Sequence, residues 1–171
     1  MKIYTKKGDL GETDLISERV LKSNQAIHLV GELDEASARL ALAKHYIQDE
    51  EILRDLEKVD HYLFLISSIL VDPLGKLGLF VDPDATIELE EAIDVMDIKL
   101  APLKRFITYD GSVEAIQISL LRTQVRKIER LLVGFSTDEA ILKYINRLSD
   151  YLFTLMRYLN YKANISETFR K

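Results

Sequence analysis

The sequence predicts an all-α fold, a bundle of four or five helices in a single domain. Three observations lead there. Apolar residues recur in steps of three and four over most of the chain, the period of a helix rather than a strand. The seven glycines and three prolines fall mostly in a few clusters that punctuate those stretches. At 171 residues the chain is long enough for one domain with a substantial core. Strand signals are poor throughout.

The first helix is expected at about Ser23 to Ile47. Ile27, Val30, Ala38 and Ala41 form one stripe at helical spacing, which Asp34 and His45 share. Leu29, Leu33 and Leu40 form a second stripe. A helix apolar on two sides touches more than one neighbour, its own core and another subunit. The second helix, about Glu50 to Val71, carries Ile52, Leu56, Val59, Leu63, Ile66 and Leu70 in bundle spacing. Two Asp-Pro breaks follow. A third helix, about Ala85 to Leu100, ends before Pro102. A fourth begins at Gly111-Ser112, with Ser112 as N-cap, Glu114 in the first turn, and Ile118, Leu121, Val125, Ile128 and Leu132 inward. Ser136-Thr137-Asp138-Glu139 reads as a capping box for the fifth helix. That helix runs to about Tyr161 with Ile141, Ile145, Leu148, Leu152, Leu155 and Leu159 inward.

Composition narrows the function. A net charge of −5 without a basic run argues against nucleic-acid binding. The absence of cysteine excludes disulfides, thiolate zinc sites and a cysteine nucleophile, and fits a cytoplasmic protein. The apolar runs are too short for a membrane span, and the polar stretch from Met1 to Gly11 does not read as a signal peptide.

Several constellations can carry chemistry. The opening stretch, Ile3 to Thr13, is punctuated by Gly8 and Gly11. Such a loop brings backbone N–H groups close to an anion, while Lys6 and Lys7 add charge and Thr5 and Thr13 add hydroxyls. It is not a Walker A loop, and an ordinary surface turn is the competing reading. On the fourth helix Arg122, Arg126 and Glu129 share one face beside the core stripe, with Ala115 and Ser119 leaving room a turn earlier. This face is either a structural ion-pair ladder or a phosphate grip. Asn146, Arg147 and Asp150 interrupt the apolar pattern of the fifth helix. Asn146 either reads a purine or ribose, or is a polar residue at a helix end. Asp34, on an apolar stripe, requires a cationic partner. That partner is Arg122 or an arginine from a neighbouring helix or subunit. His28, His45 and His61 lack the Glu-x-x-His spacing of di-iron bundles, and the ligands of any metal are undetermined.

Taken together these motifs resemble the ATP:cob(I)alamin adenosyltransferases of the propanediol-utilisation type. Tyr4-Thr5-Lys6-Lys7-Gly8-Asp9-Leu10-Gly11-Glu12-Thr13 is similar to that family's Thr-x-Thr-Gly-Asp-x-Gly-x-Thr/Ser loop. Glu18-Arg19-Val20-Leu21-Lys22 is similar to its Glu-Arg-Val-x-Lys, and Gly31-Glu32-Leu33-Asp34-Glu35 to its Gly-x-x-Asp-Glu. Arg122-Thr123-x-x-Arg126-x-x-Glu129-Arg130 and the run from Lys143 to Phe153 resemble its two most specific signatures. The correspondence covers essentially the whole chain in order.

The resemblance implies a five-helix subunit with a four-helix-bundle core in a ferritin-like up-down arrangement. Residues 1–22 would form a nucleotide-binding loop, 23–163 the bundle and 164–171 a tail. It implies a homotrimer whose active sites lie between subunits, with the loop of one and the fourth and fifth helices of its neighbour holding ATP. It places Thr5, Lys6, Lys7, Gly8, Thr13, Asp14 and Lys22 at the nucleotide on the loop side. Arg126, Glu129, Arg130 and Asn146 contact it on the helix side. Asp34 and Arg122 match an intersubunit ion pair, and Phe106 an aromatic that helps displace the corrinoid's lower ligand. Asp34, Phe106, Arg122 and Arg126 would carry catalysis, and Phe106 and Tyr109 would face the corrinoid. Mg²⁺ would accompany ATP, and a corrinoid reductase is an implied partner.

Three positions depart from the pattern. Thr108-Tyr109-Asp110-Gly111-Ser112 stands where Leu-Pro-Gly-Gly-Ser is usual. Lys7 replaces a threonine. Asp14 replaces a serine or threonine, and would face away from the triphosphate or act through magnesium. The implied reaction moves the 5′-deoxyadenosyl group of ATP to cob(I)alamin, itself a strong nucleophile, and releases triphosphate. A non-catalytic ATP- or corrinoid-binding carrier or sensor is the alternative.

Overall fold

The computed structural model describes residues 2–136 and 138–170. It contains five helices: α1 (Gln25–Tyr46), α2 (Glu50–Leu70), α3 (Asp84–Asp97), α4 (Val113–Val133) and α5 (Glu139–Lys162). The expected all-α bundle is therefore present, with every helix within a few residues of its expected span. One element was not expected: a short antiparallel hairpin, β1 (Glu12–Asp14) with β2 (Arg19–Leu21), pairing Thr13 with Val20. Its three-residue strands are too short to produce a period-2 pattern.

Local chemistry sets the helix starts. Asn24 Oδ1 accepts from the Ala26 N–H at 2.8 Å, so α1 begins at Gln25, two residues after the expected Ser23. Asp49 Oδ1 caps α2 through the N–H groups of Glu51 and Ile52, at 3.0 and 3.2 Å. Ser112 caps α4 as expected, its Oγ accepting from Ala115 at 3.2 Å. For α5 the cap is Asp138, which accepts from Ala140 and Ile141. Ser136 instead accepts from the Asp138 N–H at 3.1 Å and shapes the approach. The expected capping box is thus corrected by two residues; its Thr137 lies outside the described residues.

Side-chain pairs give the helix directions. Glu32 of α1 meets Gln124 and Lys127 of α4, and the end of α5 meets the start of α2 through Lys162 and Asp49. Together with the short links after α1 and α4, these contacts run α1, α2, α4 and α5 antiparallel to their neighbours. Arg147 meets Glu90 near the start of α5, and Tyr158 meets Lys99 near its end. So α3 runs parallel to α5 and carries the chain back between the two hairpins, the single crossover of a ferritin-like bundle.

The core is filled by the stripes named from sequence on α2, α4 and α5, all buried. Tyr144 and Tyr151 are buried among them, which pushes both phenols far above their usual titration range. On α1 the core takes Leu29, Leu33, Ala36 and Leu40. The other stripe, with Asp34, Ala38 and Ala41, is exposed on the single chain, and Ile27 and Val30 are half-buried.

Candidate functional site

The sequence-predicted residues fall into three groups on the bundle surface. The first is the N-terminal hairpin. Lys6 adopts φ +59° and Gly11 φ +84°, so the backbone reverses twice within six residues. The Gly11 N–H donates to the Gly8 carbonyl at 3.1 Å, and the Lys22 N–H to the Gly11 carbonyl at 2.8 Å. Gly8 packs under Lys22: a Cβ there would lie 3.0 Å from Lys22 Nζ. Lys22 is thereby folded over the glycine loop, while Thr5, Lys6 and Lys7 are exposed beside it and Thr13 is half-buried.

Arg19, which the sequence reading passed over as an individual residue, ties this group together. Its guanidinium donates to Glu12 at 2.9 Å, to Asp14 at 2.5 Å and to the Lys7 carbonyl. The Asp14 carboxylate is therefore neutralised within the hairpin. Leu15 is buried and the Ile16 N–H donates to the Val71 carbonyl at 3.0 Å, which tethers the hairpin to the end of α2.

The second group lies on α4 and α5. Asn146 Nδ2 donates to Glu129 Oε1 at 2.6 Å, joining the two helices. Arg130 Nη1 donates to the Arg126 carbonyl at 2.9 Å. The Arg126 side chain is exposed and makes no ion pair among the described residues. Arg122 is half-buried, with Nη1 3.5 Å from the Tyr109 hydroxyl and Cζ 5.1 Å from the Phe153 ring. Its Nε is buried without a hydrogen-bond partner. Ala115 and Ser119 do not leave the room expected of them, because both are buried in the protomer's own core.

Asp34 lies away from the core of its own protomer. It is exposed on the single chain, and it pairs with no cation among the described residues. The burial argument fails inside one protomer because the core takes the Leu29–Leu33–Leu40 stripe instead.

The third group is the loop between α3 and α4. Phe106 is 85% exposed and Tyr109 is partly exposed. The stretch expected to be a simple tail returns to this loop. The Thr108 N–H donates to the Thr168 carbonyl and the Arg170 N–H to the Phe106 carbonyl, both at 2.8 Å. Arg170 also packs over the Tyr109 ring at 5.3 Å. Arg157, buried on α5, donates to Glu167 at 2.5 Å and to the Ala101 carbonyl at 2.7 Å, pinning tail and loop together. Sequence reasoning missed Arg157, Asn160 and the tail. Their only signal is two polar residues, three apart, on an otherwise apolar helix end.

The second and third groups meet where Arg122 reaches Tyr109, whereas the first stays apart from the α4–α5 contacts within one chain. Among the described residues, no hydrogen bond or ion pair links residues 5–22 to Arg126, Glu129, Arg130 or Asn146. A cleft of about 260 Å³ lies elsewhere, between α2, α3 and α5, and no predicted site residue lines it. All three histidines are exposed. No described helix is long and apolar enough to cross a membrane.

Comparison with known proteins concerns the chain as a whole. A family model described as cobalamin adenosyltransferase matches residues 3–159. A corrinoid adenosyltransferase of Bacillus subtilis is 31% identical, over 98% of this chain and 91% of its own length. One from Bos taurus is 33% identical, over 99% of this chain and 76% of its own. Among solved structures, a variant PduO-type ATP:corrinoid adenosyltransferase from Lactobacillus reuteri, complexed with cobalamin and ATP, superposes with a TM-score of 0.92. It is 29% identical, and the match covers 99% of each chain.

Proposed function

The chain belongs to the cobalamin adenosyltransferase family, and on that premise we propose that it transfers the 5′-deoxyadenosyl group of ATP to cob(I)alamin. The observation that carries this reading is the full-length match, in fold and in sequence, to an enzyme complexed with both substrates. In the reaction the cobalt(I) electron pair forms a Co–C5′ bond. The C5′–O bond breaks, and its electron pair leaves with inorganic triphosphate. The nucleophile belongs to the corrinoid, so the protein's tasks are alignment and stabilisation of charge on the leaving group.

The residues divide those tasks. The Gly8–Gly11 loop with Lys6, Lys7 and Lys22 receives the phosphates. Arg126, exposed and without an ion pair among the described residues, would donate to them, and Arg130 is oriented by its bond to the Arg126 carbonyl. Glu129 and Asn146, held to each other, present a fixed polar edge to the nucleoside. Mg²⁺ arrives as part of the ATP substrate. Asp14 is engaged by Arg19 and fits poorly as its ligand, so no step is routed through it. Phe106 and Tyr109 form the corrinoid side, where an exposed aromatic excludes water from the lower face of the ring.

The site is completed by a second copy in a homotrimer. Two observations support this: the loop and the α4–α5 face do not meet within one chain, and α1 exposes an apolar stripe bearing Asp34. The half-buried guanidinium of Arg122, which makes no ion pair among the described residues, is the cation that Asp34 of a neighbouring copy would meet. We place the enzyme in the cytoplasm, supplied with reduced corrinoid by a reductase.

The test is to mix the protein with ATP and chemically reduced cob(I)alamin. The adenosylcobalamin spectrum should develop with one triphosphate released per corrinoid. Binding of both ligands without triphosphate release is carrier behaviour and would contradict the proposal.

A further inference from the structure

Asn160 lies on the last turn of α5, only 7% exposed, and its amide is used on both sides of Gly111. Oδ1 accepts from the Ser112 N–H at 2.9 Å, and Nδ2 donates to the Asp110 carbonyl at 2.9 Å. The two contacts fix which end of the amide is which, since one partner is a donor and the other an acceptor. Gly111 sits at φ +115°, where a Cβ would fall 2.1 Å from Asn160 Oδ1. Glycine is therefore required twice over, for its dihedral and for the close approach. The main-chain carbonyl of Asn160 also accepts from the Ile165 N–H at 2.9 Å, where the chain turns into the tail.

The amide is not needed to start α4, which Ser112 Oγ caps unaided. Nor does the apolar packing of α5 ask for a polar group at this position. Its hydrogen bonds go to the loop. That loop is further stiffened from within: Thr108 Oγ1 donates to Asp110 Oδ2 at 2.6 Å, a bond that two of the residues departing from the usual Leu-Pro-Gly-Gly-Ser make possible.

We propose that Asn160 is a positioning residue for the corrinoid side of the reaction. By clamping Asp110–Gly111–Ser112 it sets the angle at which Phe106 and Tyr109 meet the corrin ring, and it takes no part in holding ATP. The inference rests on the reading of the Phe106 loop as the corrinoid side.

The experiment compares wild type, Asn160→Ala, Asn160→Asp and Phe106→Ala with ATP and chemically reduced cob(I)alamin. Losing two buried hydrogen bonds should raise the corrinoid KM by about tenfold or more in Asn160→Ala. The ATP KM should stay within about twofold. In separate samples supplied with cob(II)alamin and ATP, the four-coordinate fraction of the corrinoid should fall. Asn160→Asp keeps the acceptor for Ser112 but turns a lone pair toward the Asp110 carbonyl, so it should fall the same way. Sedimentation and circular dichroism should match wild type. Parallel loss of ATP affinity, or unchanged corrinoid constants, would overturn the proposal. Loss of helical content in both Asn160 variants would assign the residue to the core and overturn it too. If Phe106→Ala changes the corrinoid constants and the Asn160 variants do not, only the clamp is wrong. If none of the three changes them, the loop's assignment is wrong as well.

Discussion

The N-terminal hairpin and the Phe106 loop, the two loops proposed to face the substrates, are held by the bundle in opposite ways. The hairpin is held by ionic contacts at the surface: Arg19 grips Glu12, Asp14 and the Lys7 carbonyl, all largely exposed. One buried leucine and one backbone bond tie it to the helices. The Phe106 loop is held from beneath, by the buried side chains of Arg157 and Asn160 and by strand-like pairing with the tail. Exposed ion pairs are weak and screened, whereas buried hydrogen bonds are costly to break. On the proposed reading the hairpin is thus set up to adjust around a polyanion and a neighbouring subunit, and the Phe106 loop to present a fixed apolar surface.

The largest expected effect concerns the face between copies. Either Asp34→Ala or Arg122→Ala should weaken assembly or activity by about 3–5 kcal/mol, since each strands the other charge in a buried interface. The charge-swapped double variant, Asp34→Arg with Arg122→Asp, should recover part of that loss. Sedimentation and turnover on all four proteins check this. Two single variants that remain active trimers would break the pair.

Next in size is Arg126→Ala. An exposed guanidinium that makes no ion pair contributes little to the fold, so helical content should be unchanged. Loss of its contact to the departing phosphates should cost about 2–4 kcal/mol in kcat/KM. Near-wild-type turnover would move the phosphate grip elsewhere.

Arg19→Ala sharpens the contrast between the loops. Releasing the hairpin should raise the ATP KM a few-fold and leave the corrinoid KM and the melting temperature nearly unchanged. A matching change in the corrinoid constants would mean that the two loops are mechanically linked.

The smallest effect is electrostatic. The hydrogen bond from Lys127 holds the Glu32 carboxyl below its usual range. A group depressed on folding stabilises the protein above its unfolded pKa, and loses that contribution as pH falls through the folded value. Thermal melts should therefore show Glu32→Gln less stable than wild type near neutral pH, by about 2 °C or less, with the gap closing in acid. A gap that widens on acidification would reverse the sign and exclude the pair as its cause.

The sequence made the helices legible because their core stripes on α2, α4 and α5 are long and regular. The Arg122–Arg126–Glu129 face of α4 was also legible, since residues one turn apart on a helix share a side, whereas its bond to Asn146 of α5 was not. The hairpin was not, because three-residue strands carry no period. Which of the two apolar stripes of α1 faces the protomer's own core was not legible, because two such stripes on one helix are indistinguishable until packing chooses between them. The Arg157–Asn160 clamp was invisible for a different reason. Asn160 lies 50 residues from Asp110, and Thr168 lies 60 from Thr108, so only the fold brings them together.

Subunit complementation tests the divided site most directly. One variant carries Lys7→Ala and Lys22→Ala, and the other Arg126→Ala. Each alone should be nearly inactive. Refolded or co-expressed in equal amounts, they should assemble at random into trimers in which, over the whole population, about one quarter of the sites combine an intact loop from one copy with an intact α4–α5 face from the next. Recovery of about that fraction of wild-type adenosylcobalamin formation is the expected result. Activity no greater than the sum of the two inactive proteins, in trimers shown to be mixed, would mean that each chain builds its site alone.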